Sequence, residues 1–239
     1  MAEPILQFEA ADLRSPDQPG RALLDVSFRL EAGASVVVQA DQPSDLREEG
    51  DDTPPLADAA EGLIPCDQGQ VLFKGRDWRQ LSPFDQARNR GDIGRLFDFH
   101  GWVYNLSVLE NMTLACHTHP SGSVSNPESR IRDLARRFGF DGVPPGRPVD
   151  FRRRELRIFE WIRALAFRRD LVILERPELD LPLSALDICF EMAQEARAAG
   201  SALLWITHDV EMVRRTVQLG SIAFVIRGRT WNRREETTV

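Results

Sequence analysis

Four short runs of apolar residues, separated by stretches with helical spacing, most constrain how this chain can fold. The runs are rich in Val, Ile and Leu and cover residues 35–39, 171–174, 202–206 and 222–226. Continuous apolar runs of this length are typical of strands that are buried on both faces. Apolar residues recur at helical spacing in two of the intervening stretches, residues 155–167 and 184–198. This alternation predicts an α/β fold with a mostly parallel central sheet.

The remaining elements fit one domain that covers residues 1–239. Further strands are predicted at 4–9, 24–30, 70–73 and 93–97, and further helices at 106–115, at 129–139 and from Val210 onward. No run of about 18 apolar residues occurs, so the sequence predicts no membrane span. The three cysteines are widely spaced, which predicts reduced thiols,.

Charge is distributed unevenly along the chain. The formal net charge is −7, and residues 41–62 alone hold eight acidic residues against Arg47. An acidic chain is a poor partner for nucleic acid, whose phosphates favour a basic surface. Pro43, Gly50, Pro54 and Pro55 predict a loop in the first half of this segment,.

Six segments resemble the ATP-binding subunits of ABC transporters in order and spacing. They are Ala22–Phe28 with Gly33, Asp67–Gly75, Ile93–Asp98, Asn105–Asn111, Arg163–Pro177 and Ile206–Asp209. The resemblance covers nearly the whole chain. It implies an ABC ATPase (P-loop NTPase-like) domain with an antiparallel β subdomain and a helical subdomain at about 105–165.

The stretch 102–111, followed by His117 and His119, is similar to the ATPases of Mla-type lipid transporters. Those ATPases work with MCE-domain proteins, so this similarity implies a lipid cargo and an MCE-domain protein as a further partner. A metal site at His117 and His119 lacks a third ligand nearby, and an exposed loop is the favoured interpretation.

The phosphate-binding motif of the family, GxxxxGK[ST], is absent. Such a motif cradles phosphates with backbone N–H groups and neutralises them with its lysine. The equivalent residues 40–53 contain no lysine, and the single lysine of the chain, Lys74, lies beyond the next strand. A carboxylate about 4 Å from a phosphate charge would cost about 4 kcal/mol at an effective dielectric constant of 20. The alternative is that Arg47 replaces the lysine.

Other catalytic positions of the family are also altered. The resemblance places Glu175 at the metal-binding aspartate, Arg176 at the catalytic glutamate and Asp98 at the Q-loop glutamine. Glu175 could still bind Mg²⁺, but a guanidinium cannot act as a base at neutral pH. Ser15 stands where the family has an adenine-stacking aromatic residue, and Pro182 stands at the D-loop aspartate. Ser184 is predicted to cap the following helix.

Only His208 keeps the family's residue, as the histidine of the switch strand. It is interpreted as a structural remnant rather than a working phosphate sensor. Arg152, Arg153 and Arg154 stand in the signature motif, where glycines normally allow close approach to the partner's nucleotide,. One interpretation is a solvated helix start, and the other is an anion clamp on that nucleotide.

An aromatic segment lies where the family receives the coupling helix of the permease. Its members are Phe97, Phe99, Trp102, Val103 and Tyr104. Aromatic side chains often dominate such interfaces. The alternative is that these residues close the core of the helical subdomain.

The resemblance with altered motifs implies a non-catalytic cassette, and we expect no cofactor, with ATP–Mg²⁺ bound only through a partner. The implied partners are a second, active ABC ATPase subunit and an integral membrane permease, which would place the chain on the cytoplasmic face of the membrane. Two alternatives remain, a divergent but active transport ATPase and a soluble adaptor with the same fold.

Overall fold

The computed structural model describes residues 3–14, 22–40, 54–99, 101–118 and 126–234. The strands of these ranges form a single ten-stranded sheet. They are β1 (Leu6–Arg14), β2 (Ala22–Leu30), β3 (Ser35–Gln39), β4 (Cys66–Phe73), β5 (Arg76–Asp77), β6 (Ile93–Leu96), β7 (Leu171–Glu175), β8 (Ala202–Thr207), β9 (Ile222–Arg227) and β10 (Thr230–Arg233).

The sheet has a parallel half and an antiparallel half. Its order is β5-β4-β1-β2-β10-β9-β3-β8-β7-β6. Strands β9, β3, β8, β7 and β6 pair in parallel, whereas β2, β1, β4 and β5 pair antiparallel. The predicted fold class, a mostly parallel core with an antiparallel β subdomain, is confirmed.

Seven α-helices connect the strands within the described ranges. They are α1 (Leu56–Ala60), α2 (Pro83–Arg90), α3 (Val108–Thr118), α4 (Pro127–Arg137), α5 (Arg153–Leu165), α6 (Leu183–Ala198) and α7 (Val210–Gln218). Helices α3, α4 and α5 contact one another and make up the helical subdomain. The fold therefore follows the sequence pattern closely, with helices inserted between the parallel strands.

Two local predictions are wrong. Helix α6 begins at Leu183 with Pro182 as its N-cap, so Ser184 lies in the first turn and does not cap it. Proline suits a helix start because the first N–H groups of a helix have no partner inside it. Helix α3 continues to Thr118, so His117 lies in a helix rather than a loop. His119 lies outside the described residues.

Two apolar cores cover the two faces of the sheet. One packs α3–α7 against one face of the parallel strands and includes Trp161 and Trp205. The other lies between the antiparallel strands, α1 and the opposite face. The strand β3 contributes to both, with Val37 on one face and Val36 and Val38 on the other, as expected for a strand buried on both sides,.

Among the residues that the structure describes, no helix is both long enough and apolar enough to span a membrane. Cys66, Cys116 and Cys189 are free thiols.

Candidate functional site

Four parallel strands end at the same edge of the sheet, and the altered motif positions follow them. Arg176 comes directly after β7, His208 after β8, and Asp98 two residues after β6. Backbone hydrogen bonds hold this edge together, because Arg176 N donates to Ile206 O at 2.7 Å and Ala40 N donates to Thr207 O at 2.9 Å. The carboxyl edge of an open parallel sheet is where ligands of such folds bind. Asp98, Glu175, Arg176 and His208 therefore lie in one region of the structure, and their roles stay predictions.

Glu175 is held by an arginine that the motifs did not single out. Arg95 lies on β6 and donates from Nε to Glu175 Oε2 at 2.7 Å and from Nη2 to Glu175 Oε1 at 3.1 Å. Its Nη1 also donates to Asp58 Oδ1 at 2.8 Å and to Glu61 Oε2 at 2.7 Å. The Arg95 side chain is 9% exposed and that of Glu175 only 3%. One guanidinium thus joins α1, β6 and β7.

The charges of these groups are strongly coupled. Burial raises the pKa of Glu175, and the charge and hydrogen bonds of Arg95 oppose that rise. Burial also acts to lower the pKa of Arg95, but the charge and hydrogen bonds of Glu175, followed by the charges of Glu61 and Asp58, outweigh it and raise that pKa. Arg95 therefore stays protonated throughout the accessible pH range.

Arg176 forms a second ion pair at this edge. Its Nη1 lies 3.2 Å from Asp98 Oδ1. The backbone of Arg176 is in the left-handed region, with φ 39°, which is uncommon for a residue with a side chain,. Arg176, at the position that the resemblance assigns to a catalytic glutamate, is thus a cation, and Asp98 supplies the neutralising carboxylate.

Arg157 on α5 ties both segments to the helical subdomain. It donates to Phe97 O at 2.7 Å, to Glu175 O at 2.9 Å and to Glu160 Oε2 at 2.8 Å. The side chains of Arg157 and Glu160 are only 5% and 1% exposed. We call Arg95, Arg157 and Arg176, with their partners Asp58, Glu61, Asp98, Glu160 and Glu175, the arginine centre. Sequence reasoning missed Arg95 and Arg157, because their partners are scattered along the chain.

His208 lies beside this centre and is buried. Its Nδ1 is 3.4 Å from Ala40 O, at the end of β3. Asp209 then caps α7 by accepting from Glu211 N at 2.7 Å and Met212 N at 3.0 Å. These contacts agree with a structural role for His208, which stays a prediction.

The arginine triplet Arg152–Arg154 is exposed at the start of α5. Arg152 is the N-cap, and its backbone N donates to Glu155 Oε2 at 2.9 Å. Arg153 Nε lies 3.5 Å from Asp180 Oδ2, a loose pair with both side chains partly solvated. The triplet therefore starts the helix as predicted and leaves its charges largely at the surface. Both interpretations of it remain open.

The aromatic segment is split between core and surface. Trp102 is 5% exposed and packs in the main core under Arg163, whose guanidinium lies 4.6 Å from the indole ring. Phe97 is half-buried, with the Arg95 guanidinium 4.6 Å from its ring. Phe99, Val103 and Tyr104 are 54%, 43% and 54% exposed. For Trp102 the docking prediction is corrected, because its ring closes the core and cannot also face a permease.

The described residues of this edge do not fit a metal-bound triphosphate. Mg²⁺ needs carboxylate or hydroxyl oxygens that are free to bind it, and both Glu175 oxygens are taken by Arg95. Among the described residues, no group of three or more His, Cys, Asp or Glu side chains is placed to hold a metal ion. Predictions about residues 41–53, Ser15 and Arg47 fall outside the described residues.

Comparison with solved structures decides the fold. The chain superposes on a structure of the ATP-binding subunit of an ABC transporter with a TM-score of 0.77, at 19% identity, covering 95% of this chain and 87% of that one. It superposes on the dimeric structure of a bacterial ABC transporter cassette with a TM-score of 0.79, at 16% identity, covering 98% and 99%. The chain has the fold of an ABC ATPase cassette.

Sequence comparison agrees with this assignment of the cassette. This chain is 26% identical over 218 residues to the ribose import ATP-binding protein RbsA 1 of Rhizobium etli, and the match covers 89% of this chain. The match covers 40% of that relative, so the cassette spans less than half of its length. No protein-family model matches the chain.

Proposed function

We propose that this cassette is the non-hydrolysing member of a pair of cassettes in a membrane transport complex. One observation carries the proposal, the ion pair of 3.2 Å between Arg176 and Asp98. Hydrolysis by this fold would need a base directly after β7, and the residue there is a guanidinium that cannot accept a proton at neutral pH. Its charge is neutralised by the residue at the Q-loop position.

The phosphate-binding side supports the same proposal. Residues 41–53 hold six acidic residues, one arginine and no lysine. The chain's single lysine is engaged elsewhere, because Lys74 Nζ lies 2.7 Å from Asp92 Oδ2 and also pairs with Asp170. A triphosphate brought to such a segment would meet like charge.

Partners are proposed from the relatives. One of the similar solved structures is a dimeric cassette, and the similar sequence is that of a ribose import ATP-binding protein. We therefore infer a second, intact cassette and a membrane permease as partners. The similarity of residues 102–111 to Mla-type ATPases supports a lipid cargo and an MCE-domain protein in the complex. Such a complex would hold the chain at the cytoplasmic face of the membrane.

The exposed part of the aromatic segment is the proposed permease contact. Phe99, Val103 and Tyr104 follow β6 and present exposed apolar surface, whereas Trp102 lies in the core. Large aromatic side chains at a surface are common anchors of protein interfaces.

The arginine triplet is the proposed contribution to the partner's reaction. Arg152, Arg153 and Arg154 place three guanidinium groups at an exposed helix start, and the ion pair between Arg153 and Asp180 is long, at 3.5 Å. Arginine can stabilise the charge that develops on a transferred phosphoryl group. The complex would then keep one working site of two.

ATP hydrolysis by the assembled complex tests this proposal. Removing the lysine of the partner's phosphate loop should abolish all hydrolysis, because this cassette adds none. Replacing the triplet with alanine should lower hydrolysis several-fold while the complex stays assembled. The matched control is Arg132→Ala with Arg136→Ala, two exposed arginines of α4 in the same subdomain.

Two results would contradict it. Hydrolysis that survives in the complex with the lysine-less partner would make this cassette an active ATPase. An intact complex that is indifferent to the triplet would reduce Arg152–Arg154 to a solvated helix end and this cassette to a scaffold.

A further inference from the structure

Helix α1 is too short to be stable by itself. It has five residues, Leu56–Ala60, and isolated helices below about 12 residues are marginal in water. Its carbonyl end is held by side chains from elsewhere: Trp78 Nε1 donates to Ala60 O at 3.1 Å, and Arg90 donates to Glu61 O and Gly62 O at 2.9 Å. These bonds are to neutral acceptors and fix one end only.

Arg95 makes the charged contacts of α1. Its guanidinium bonds Asp58 in the helix and Glu61 directly after it, and the same group forks onto Glu175 of β7. Arg95 carries one positive charge against three carboxylates. The side chains of Glu61 and Glu175 are 11% and 3% exposed, so water screens their electrostatic interactions only weakly,.

We propose that the charge of the Arg95 guanidinium fixes α1 on the edge of the sheet, so that the loss of this one cation loosens α1. Four hydrogen bonds from Nε, Nη1 and Nη2 reach three carboxylates and hold Glu175 through both oxygens, a planar geometry that an ammonium group does not offer,. Without Arg95 these carboxylates lose their shared cation, and α1 keeps only its neutral hydrogen bonds and the packing of its buried apolar side chains.

This inference is independent of the proposed function. It concerns only what holds α1, and it would stand even if the complex hydrolysed ATP at both sites. Conversely, a failure of Arg95 to hold α1 would leave the argument from Arg176 and Asp98 unchanged.

Hydrogen exchange on the full chain tests it. In Arg95→Ala, amides of residues 56–62 should exchange at least ten-fold faster, while those of β3 and β8 change much less. Millimolar guanidinium, far below denaturing concentrations, should restore protection because it refills the vacated position. Equal sodium chloride should not restore it, and the rescue should vanish in Arg95→Ala with Glu175→Gln.

Arg90→Ala is the matched control, because Arg90 also bonds the α1 segment but only through neutral carbonyls. It should cause a smaller loss of protection and show no rescue by guanidinium. If Arg95→Ala does not fold, Arg95→Gln supplies a shorter, uncharged side chain that still carries an N–H donor group. Unchanged protection of 56–62 in a folded Arg95→Gln or Arg95→Ala, or a folded Arg95→Ala that guanidinium does not rescue, would overturn the proposal.

Discussion

The arginine centre and the arginine triplet differ in burial and in the partners of their guanidinium groups. In the arginine centre, Arg95 and Arg157 are buried. Arg95 bonds three carboxylates that are distant in the chain, and Arg157 bonds distant carbonyls and the nearby Glu160 carboxylate. In the arginine triplet, a few residues earlier on α5, the side chains are exposed and loosely paired. The comparison teaches that the same residue type is buried in ion pairs in one place and exposed at a helix start in the other.

Energetics explain this division. Removing one partner of a buried ion pair leaves an uncompensated charge and costs about 3–5 kcal/mol, whereas an exposed pair contributes about 0–1 kcal/mol. The two groups of arginines therefore contribute differently to stability. In the centre they hold the edge of the sheet together, and in the triplet they contribute little.

The largest effect is expected for Arg157→Met. The substitution leaves Glu160 charged at 1% exposure and removes the donor to Glu175 O. We expect a loss of about 3–5 kcal/mol in the free energy of unfolding, measured by urea denaturation. The comparison variant is Arg152→Met, which should change it by less than about 0.5 kcal/mol. Equal losses in the two variants would erase the distinction between centre and triplet.

Trp102→Ala should be nearly as severe. Its ring is 5% exposed in the main core, and truncating a buried Trp costs about 3 kcal/mol or more. Tyr104→Ala, two residues later and 54% exposed, should cost little stability but weaken permease binding. Thermal melts of the two variants report the contribution of each residue to the core, and pull-down of the complex reports its contribution to the docking surface. A stable Trp102→Ala that releases the permease would restore Trp102 to the interface.

Asp98→Asn should have a moderate effect. It removes the charge that faces Arg176, whose side chain is 21% exposed and so partly solvated. We expect a loss of about 1–2 kcal/mol in urea denaturation. A higher free energy of unfolding in Asp98→Asn would mean that the ion pair between Arg176 and Asp98 does not stabilise the protein.

The smallest effect on stability is expected for the arginine triplet. Replacing Arg152, Arg153 and Arg154 with alanine should shift the melting temperature by no more than about 2 °C, because all three residues are exposed and the ion pair between Arg153 and Asp180 is partly solvated. Hydrolysis by the complex should still fall. A large drop in melting temperature would show that the arginine triplet stabilises the fold as the arginine centre does.

The sequence predicts the interior strands well because their signal is local. The run 35–39 was predicted with the same bounds as β3, and β7 and β8 extend only one residue further than predicted. The short strands β5 and β10 were not predicted. Thr230–Arg233 is polar and carries no alternation, and its pairing with β9 defines it instead.

The arginine centre was beyond prediction because its contacts are not local. Arg95 finds its partners 37, 34 and 80 residues away. One signal was present, since a lone arginine in the apolar strand Ile93–Leu96 must meet a buried carboxylate, and Asp58 and Glu61 belong to the acidic segment. Trp102 was ambiguous for a related reason, because an aromatic side chain suits both a core and an interface.

A calorimetric titration of the isolated chain with ATP and Mg²⁺ tests the central claim most directly, that internal ion pairs have replaced the nucleotide site. The account predicts no heat of binding at millimolar ATP, with the chain shown to be folded by its melting curve in the same buffer. Binding with a dissociation constant of about 50 μM or tighter, near −6 kcal/mol, would contradict it.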